Sequence, residues 1–265
     1  MGVWERLGEE LLQVIYPENL YCMACGDLLD GEEDLTVRWG LCRSCLDQMF
    51  CEENLTKAMG KDCEDRSYSQ VLSCTVYGGL SKEIIGKFKN NGQPWLGKNL
   101  GRLMAQRFRE EFGPEEERVR RAADLVTFVP VHRKKKRIRG YDQSAILAKQ
   151  VGDSLGIPWA ECLVRTRATA AMKNISEAQR RQNVEGAFDW KGLGESVGWG
   201  SELGESARDG GNRQGRELEG KCVILVDDVV TTGSTADACA SVLRDRGAED
   251  VILLTFAAAP HEKSN

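Results

Sequence analysis

Apolar positions follow two different periods along this chain, and together they predict an α/β fold. Mainly apolar runs at residues 71–77, 124–131, 222–226 and 251–256 have the length and composition of strands. The segment after Ser234 and three earlier ones, which begin near Ser81, Gly97 and Asp142, carry apolar side chains at helical spacing instead. Strands that alternate with helices in this way indicate a parallel, doubly wound sheet.

Residues with strong positional preferences mark the ends of several helices. Ser81 and Asp142 are typical N-cap residues. The Asn-Asn-Gly sequence at 90–92 ends the helix that begins near Ser81, and Gly156 followed by Pro158 ends the helix capped by Asp142. Near the C-terminus, two predicted strands flank one predicted helix, which is the pattern of a right-handed βαβ unit.

Composition divides the chain into four regions. An amphipathic helix is expected within residues 1–20. Its apolar face consists of Trp4, Leu7, Leu11 and Ile15. Residues 21–51 contain paired cysteines, residues 52–66 are polar and predicted to be a linker, and residues 67–265 carry the α/β pattern. Within that last region, residues 192–220 are rich in Gly, Glu and Ser, so we expect a flexible insertion there.

The composition is that of a globular protein, with 41% apolar and 29% charged residues over 265 positions. No apolar run approaches the length of a membrane span, and acidic residues among the first sixteen exclude the pattern of a secretory signal. We therefore expect a cytoplasmic protein without membrane insertion. The net charge of −5 argues against general nucleic-acid affinity, but six of the seven residues Arg133–Arg139 are basic.

Four of the ten cysteines have the spacing of a metal site. Two Cys-x2-Cys pairs are separated by sixteen residues and comprise Cys22, Cys25, Cys42 and Cys45. Four thiolates in two such pairs indicate structural zinc, because zinc prefers a closed tetrahedral sulfur site. A rubredoxin-like iron centre and four unrelated thiols are the alternatives. The zinc would serve to fold this part of the chain.

The segment 222–235 combines a buried strand, two acidic residues and a hydroxyl-rich turn. Asp227 and Asp228 end the apolar run, and the turn that follows leads into a predicted helix. The turn consists of Thr231, Thr232, Gly233, Ser234 and Thr235. Free backbone N–H groups at a helix N-terminus favour an anion, and open α/β sheets bind ligands at this end of their strands. A phosphorylated sugar fits a phosphate cradle beside two carboxylates.

This segment resembles the phosphoribosyl-diphosphate (PRPP) signature of type I phosphoribosyltransferases. The resemblance implies that Asp227 and Asp228 hold the ribose hydroxyls and that the turn at 231–235 holds the 5′-phosphate, with Mg²⁺ accompanying PRPP. The alternative is an ordinary strand-turn-helix in which these polar residues only cap the helix. A plain cap needs one such residue rather than seven in order.

Further motifs resemble those of the ComF family. Residues 128–132, a basic run, and residues 139–143 are similar to its Val-Pro-Val-Pro and Arg-Gly-Phe-Asn-Gln block. Residues 87–92 are similar to its Leu-Lys-x-x-Gly motif, and residues 165–188 and the two cysteine pairs also match in order. The resemblance implies a zinc module joined to a phosphoribosyltransferase-like domain, linked to single-stranded DNA uptake and to other competence proteins.

The basic run after the predicted strand 124–131 has three interpretations. Its start, at Val131, His132, Arg133 and Lys134, lies where the resemblance places the diphosphate-binding loop. Alternatively, Arg133–Arg139 contacts the phosphates of single-stranded DNA, or it is a solvated charged surface. A general-base role for His132 is a weaker option, because an oxocarbenium-like transition state needs electrostatic stabilisation more than a base.

A loop that closes over PRPP is implied by the resemblance at residues 165–186. Arg165, Arg180 and Arg181 are its candidate contacts, with the exposed face of a helix as the alternative for the last two. Two functions remain open at this stage. One is a working phosphoribosyltransferase with an unidentified acceptor, and the other is a DNA-handling accessory protein that retains PRPP as a ligand.

Overall fold

The structure is a computed structural model, and it describes residues 19–29, 39–51, 63–90, 92–167, 184, 186–193 and 217–260. This part of the chain contains seven helices and six strands. The helices are α1 (Arg43–Met49), α2 (Gly79–Asn90), α3 (Leu96–Phe112), α4 (Glu116–Ala122), α5 (Arg133–Arg139), α6 (Gln143–Leu155) and α7 (Ser234–Asp245). The strands are β1 (Gln70–Val76), β2 (Leu125–Phe128), β3 (Leu163–Arg165), β4 (Phe188–Trp190), β5 (Cys222–Val230) and β6 (Asp250–Ala258).

The main sheet is parallel and has the order β1-β6-β5-β2. The central pair β5 and β6 is the most extensive, running from Cys222 beside Asp250 to Val230 beside Ala258. Both strands are longer than predicted, and β2 is shorter than the predicted run at 124–131. Because β5 extends to Val230, Asp227 and Asp228 lie within the strand rather than after it.

Apolar side chains cover both faces of this sheet, which confirms the doubly wound α/β fold. Ile224 and Val226 of β5 belong to one core cluster, together with apolar residues of α2, α3 and α6. Val223 and Leu225 belong to a second cluster, together with residues of α7, β3 and β4. The side chains of successive residues in β5 thus pack on opposite faces of the sheet, as the geometry of an extended backbone requires.

The cysteine-rich region packs into the first of these clusters rather than standing apart. Lys87 of α2 donates hydrogen bonds to the carbonyl oxygens of Met23 and Ala24, at 3.1 and 2.8 Å. Asn99 of α3 donates to Asn19 at 2.6 Å. The described residues around the cysteines therefore share one core with the α/β domain.

Strands β3 and β4 and helix α5 differ from the predictions, and Ser81 lies inside α2 rather than at its N-cap. Strands β3 and β4 form a separate antiparallel pair whose sequences were not predicted as strands. The basic run Arg133–Arg139 is a helix rather than a loop, and Gly140 ends it with a left-handed φ of 84°. The predicted cap of α6 is confirmed, since the Asp142 carboxylate accepts from the Ala145 N–H and Gly156 adopts φ 69° after the last turn.

Several predictions concern residues outside the described ranges. The N-terminal amphipathic helix, most of the linker 52–66 and most of the insertion 192–220 all fall there. Within the described part, no helix is both long and apolar enough to cross a membrane.

Candidate functional site

The candidate PRPP site lies at the carboxyl end of β5, where Asp227 and Asp228 occupy successive positions of the strand. Asp227 accepts hydrogen bonds at Oδ1 from the Ser144 hydroxyl, at 3.1 Å, and from the Asp228 N–H, at 2.9 Å. Ser144 belongs to the first turn of α6, so this helix fixes the orientation of the first carboxylate. The strand and the helix thus position a pair of acidic groups at one edge of the sheet.

The Asp227 carboxylate binds a proton more tightly than an ordinary aspartate does. Burial raises the pKa of Asp227 to about 7, and the charge of neighbouring Asp228 adds to the rise. The Lys89 cation and the hydrogen bonds to Asp227 act in the opposite direction but are smaller. Near neutral pH, Asp227 is therefore partly protonated, so its carboxyl group can donate or accept a hydrogen bond.

Lys89 is a member of this site that the sequence motifs did not assign. Its ammonium lies 2.8 Å from Asp228 Oδ1, and the Asp228 side chain is only 10% exposed. Burial lowers the pKa of Lys89, but the Asp228 and Asp227 charges outweigh burial and raise it. Lys89 is thus held in its charged form beside the acidic pair. The signal that pointed toward it was the Leu-Lys-x-x-Gly-like motif at the end of α2.

The turn after β5 has the form of a cradle at the N-terminus of α7. Residues 227 and 229–236 line a concavity of about 50 Å³. Gly233 has a φ of 78°, and a Cβ at this position would collide with the Tyr68 hydroxyl. Glycine is therefore required here by backbone conformation and by close packing of Tyr68. The Thr232 and Ser234 hydroxyls lie 3.1 Å apart and share a hydrogen bond.

Arg66 stabilises this turn from outside the predicted domain. Its guanidinium donates to the carbonyl oxygen of Thr232 at 3.1 Å and lies 3.5 Å from the carboxylate of Asp237 in α7. Asp237 in turn accepts from the Ser67 N–H at 2.8 Å. Arg66 was predicted to end a linker, and no local sequence pattern indicated this contact.

The predicted diphosphate loop joins β2 to α5. The Asp142 carboxylate accepts from the Val131 N–H at 3.1 Å, and His132 caps α5 by accepting from the Lys134 N–H at Nδ1. Burial raises the pKa of Asp142 despite these hydrogen bonds. Arg133 and Lys134 are exposed. The accepting role of His132 Nδ1 gives this histidine a structural function at the start of α5.

Lys135 and Arg139 of α5 interact electrostatically with Lys89, the cation beside the acidic pair. Partial burial lowers the pKa of Lys135. Three cations from separate elements lower it further, while Asp228 raises it: Arg165, Arg139 and Lys89. Arg139 also donates to Gln143 Oε1 at 2.7 Å, at the N-terminus of α6. The structure thus brings four cations from α2, α5 and β3 into one electrostatic environment.

Arg165 is the described member of the predicted closing loop. Its guanidinium lies 5.2 Å from the centre of the Phe188 ring, across the β3–β4 pair. Burial lowers its pKa, and Cys239 and Asp227 raise it. The charges of Arg165 and Asp227 therefore interact. Arg180 and Arg181 lie outside the described residues.

The four paired cysteines form a cluster that could hold a metal ion. Their sulfur atoms all lie within 4.8 Å of one another, and those of Cys25 and Cys42 are 3.7 Å apart. Zinc–sulfur bonds of about 2.3 Å in a tetrahedron require sulfurs about 3.8 Å apart. Burial raises the pKa of Cys22, but backbone N–H groups of Cys42, Cys25 and Ala24 lower it to about 7. The cluster fits a four-thiolate metal site.

Comparisons with known proteins find a matching domain family and several curated relatives. The phosphoribosyl transferase domain family matches residues 142–265. Competence protein F of Haemophilus influenzae is 29% identical over 169 residues, and the DNA utilization protein YhgH of Escherichia coli O157:H7 is 31% identical over 129 residues. These matches agree with the resemblance of the chain to the ComF family. The match to the phosphoribosyl transferase domain begins at Asp142, so Lys89 and α5 precede the matched region.

The alignments cover only part of the first two relatives. They span 63% of this chain and 63% of Competence protein F, and 48% of this chain and 46% of the E. coli protein. A YhgH protein of Salmonella typhimurium is 24% identical over 80% of this chain and 88% of its own length. A Bacillus subtilis glutamine PRPP amidotransferase structure covers 62% of this chain and 26% of its own, at 25% identity and a TM-score of 0.33.

Proposed function

We propose that this protein binds PRPP and acts as a phosphoribosyltransferase whose acceptor is unidentified. The observation that carries the proposal is the acidic pair Asp227–Asp228 beside the cradle at 231–235, with Lys89 held against it at 2.8 Å. A cradle of hydroxyls and backbone N–H groups suits a phosphate, and adjacent carboxylates suit vicinal hydroxyls. These two features together select a phosphorylated ribose over a simple anion.

Each part of the site has a separate task in this proposal. The carboxylates of Asp227 and Asp228 accept hydrogen bonds from the ribose 2′- and 3′-hydroxyls, and the cradle binds the 5′-phosphate. The diphosphate is neutralised by the loop at Val131–Lys134 and by the cations gathered near the acidic pair, with Lys135 and Arg139 contributing from α5. Mg²⁺, when bound with PRPP, offsets the charge on the leaving diphosphate. The protein then stabilises the oxocarbenium-like state electrostatically.

Two further assignments belong to the same proposal. The cysteine cluster holds one structural Zn²⁺, supported by the sulfur spacing. Arg165, with Arg180 and Arg181, contacts PRPP when residues 165–186 close over the site. The region 21–51 is the zinc module, and residues 67–265 are the phosphoribosyltransferase-like domain. Since the cysteine-rich region shares a core with α2 and α3, zinc stabilises both.

The cellular role that we propose is the handling of DNA taken up during transformation, in the cytoplasm and with other competence proteins. The printed names of the relatives, Competence protein F and DNA utilization protein, support this role. The second candidate function is a non-enzymatic accessory protein that binds single-stranded DNA through Arg133–Arg139 and keeps PRPP as a ligand. The exposure of most of this basic helix favours that candidate.

Calorimetry with PRPP and Mg²⁺ tests the binding site. We expect the wild-type protein to bind and the Asp227→Ala/Asp228→Ala variant to lose binding, while Asp153→Ala, which removes an exposed carboxylate of α6, binds as the wild type does. Equal PRPP affinity with and without the acidic pair would contradict the assignment. Unfolding curves of each variant separate a lost contact from a lost fold.

Release of diphosphate from PRPP separates the two candidate functions. We expect release by the wild-type protein with a suitable nucleobase or other nucleophile, and none from the Asp227→Ala/Asp228→Ala variant. Binding of PRPP without release under any condition, together with single-strand binding that depends on Arg133–Arg139, would favour the accessory protein.

A further inference from the structure

A second cavity lies at the junction of the cysteine-rich region with α2 and α3. It is open and has a volume of about 560 Å³. Residues 19–23 form one wall, and residues 93–99 form the other. It has no lining residue in common with the cradle at 227–236. Whatever binds here is therefore recognised by groups other than those assigned to PRPP.

Two large aromatic side chains line this cavity and face water. Trp95 is 64% exposed and Tyr21 is 62% exposed, whereas large apolar side chains elsewhere in the described chain are mostly buried. Trp95 immediately precedes α3, and Tyr21 immediately precedes the first cysteine of the cluster. Exposed aromatic rings in a concave surface are a feature of ligand sites, because the rings gain most when a planar partner covers them.

The walls of the cavity are held in place by hydrogen bonds between the two regions. Asn99 donates a hydrogen bond to Asn19 at 2.6 Å, and Lys87 donates to the carbonyl oxygens of Met23 and Ala24. The two aromatic rings therefore project from fixed backbone positions. A preformed site of this kind loses little conformational entropy when a ligand binds.

The charge of the lining indicates the class of ligand. Among the described residues around the cavity, the charged ones are Lys87 and Lys98, and no carboxylate is present. This is notable in a chain with a net charge of −5. Two cations beside exposed aromatic rings fit a ligand that combines flat rings with phosphates, which is the chemistry of a single-stranded nucleic acid.

We propose that this cavity binds a short stretch of single-stranded nucleic acid, with bases stacked on Trp95 and Tyr21 and a phosphate near Lys98. The site is separate from both the PRPP cradle and the basic helix α5. Stacking on aromatic rings tolerates any base sequence, so the binding has little sequence preference. Duplex DNA, whose bases are not available for stacking, binds poorly.

Fluorescence anisotropy with labelled oligothymidylate and oligouridylate tests the proposal. We expect Trp95→Ala and Tyr21→Ala each to lower affinity by roughly tenfold or more, and Trp95→Phe to retain most of it. Lys98→Gln lowers the dependence of log affinity on log salt by about 0.7, the value for one lost phosphate contact. Oligouridylate shows whether the site distinguishes RNA from DNA.

Leu28→Ala is the matched control, because Leu28 is 65% exposed and pairs with Tyr21 across a β-bridge but does not line the cavity. It should leave oligonucleotide affinity unchanged. Retained PRPP binding and metal content show that the aromatic variants are folded. Unchanged affinity in Tyr21→Ala/Trp95→Ala, or loss of single-strand binding only when α5 is neutralised, would overturn the proposal. Concentration-dependent self-association without oligonucleotide binding would identify a protein interface instead.

Discussion

Lys89 and Asp228 form an ion pair at 2.8 Å that joins the last turn of α2 to the carboxyl end of β5. The pair is largely buried, so its charges are poorly screened by solvent. Phe88, the preceding residue, is fully buried and its carbonyl oxygen accepts from the Tyr141 hydroxyl, so the turn that carries Lys89 is fixed. The Lys89 cation therefore offsets the negative charge of Asp228, one of the two adjacent carboxylates, in the absence of a ligand.

Replacement of Lys89 by Met should weaken both folding and PRPP binding. The change keeps the length of the side chain but leaves the Asp228 carboxylate without its cation, which lowers the free energy of unfolding by about 1.5–3 kcal/mol. Binding of PRPP falls because the diphosphate loses a nearby positive charge. Urea unfolding and calorimetry measure the two effects. Lys82→Met, on the exposed side of the same helix, should change neither.

The central βαβ unit could be predicted from sequence because its signals are local. The apolar run of β5, the polar turn and the helix that follows all lie within two dozen residues. Asp142 likewise caps α6 through a contact three residues away. Such patterns depend on backbone periodicity and short-range hydrogen bonds, which a single sequence displays directly.

The contacts of Lys89 and Arg66 could not be predicted, because they join distant parts of the chain. Arg66 and the Thr232 carbonyl are separated by 166 positions, and no periodicity encodes their approach. The antiparallel β3–β4 pair was missed because each strand has only three residues. The helical form of Arg133–Arg139 was missed because a run of like charges gives no apolar face, and the helix is instead capped by His132 and Gly140.

Gly233→Ala should disrupt the cradle. Its φ of 78° disfavours any residue with a Cβ, at a cost of about 1–2 kcal/mol. The added Cβ would also collide with the Tyr68 hydroxyl. We expect lower stability and a loss of PRPP binding. In Gly233→Ala/Tyr68→Phe the collision is relieved and part of the stability returns, which urea unfolding detects. A Gly233→Ala protein with wild-type stability would contradict the packing argument.

Removal of two cluster thiolates should eliminate metal and destabilise the α/β domain as well. In Cys22→Ser/Cys42→Ser we expect no zinc by metal analysis and one cooperative unfolding transition at lower denaturant, because the cysteine-rich region shares a core with α2 and α3. Cys51→Ser provides the control, since Cys51 is exposed and outside the cluster. Unchanged zinc content in the double variant would disprove the assignment.

The pKa of Asp227 gives stability a specific pH dependence. Because its folded pKa of about 7 exceeds the unfolded value near 3.8, the folded state binds the proton more tightly. The contribution of Asp227 to stability is therefore fully present below pH 4 and is lost as the pH rises to about 7. Asp227→Asn mimics the protonated group, so it should raise the free energy of unfolding at pH 8 more than at pH 5. Asp153→Asn, which alters an exposed carboxylate, should show no such difference.

Replacement of two different pairs of cations on α5 should lower PRPP affinity to different extents. Arg133 and Lys134 begin the helix and are exposed. Lys135, which is also exposed, and the partly buried Arg139 share the electrostatic environment of Lys89 and Asp228. Since Coulomb energy falls with distance and with solvent screening, Lys135→Gln/Arg139→Gln should lower PRPP affinity more than Arg133→Gln/Lys134→Gln. Both variants remove two charges, so a difference between them reports position rather than net charge.

The same two variants also show whether the basic helix α5 contributes to PRPP binding, to nucleic-acid binding or to both. Calorimetry with PRPP at two salt concentrations measures the difference between them, and oligonucleotide binding measures any contribution to nucleic acid. An equal loss of PRPP affinity in both variants would indicate a general electrostatic effect. A greater loss in Arg133→Gln/Lys134→Gln would instead place the diphosphate at the start of the helix, because those two side chains then lie closer to the ligand than the ones beside Lys89.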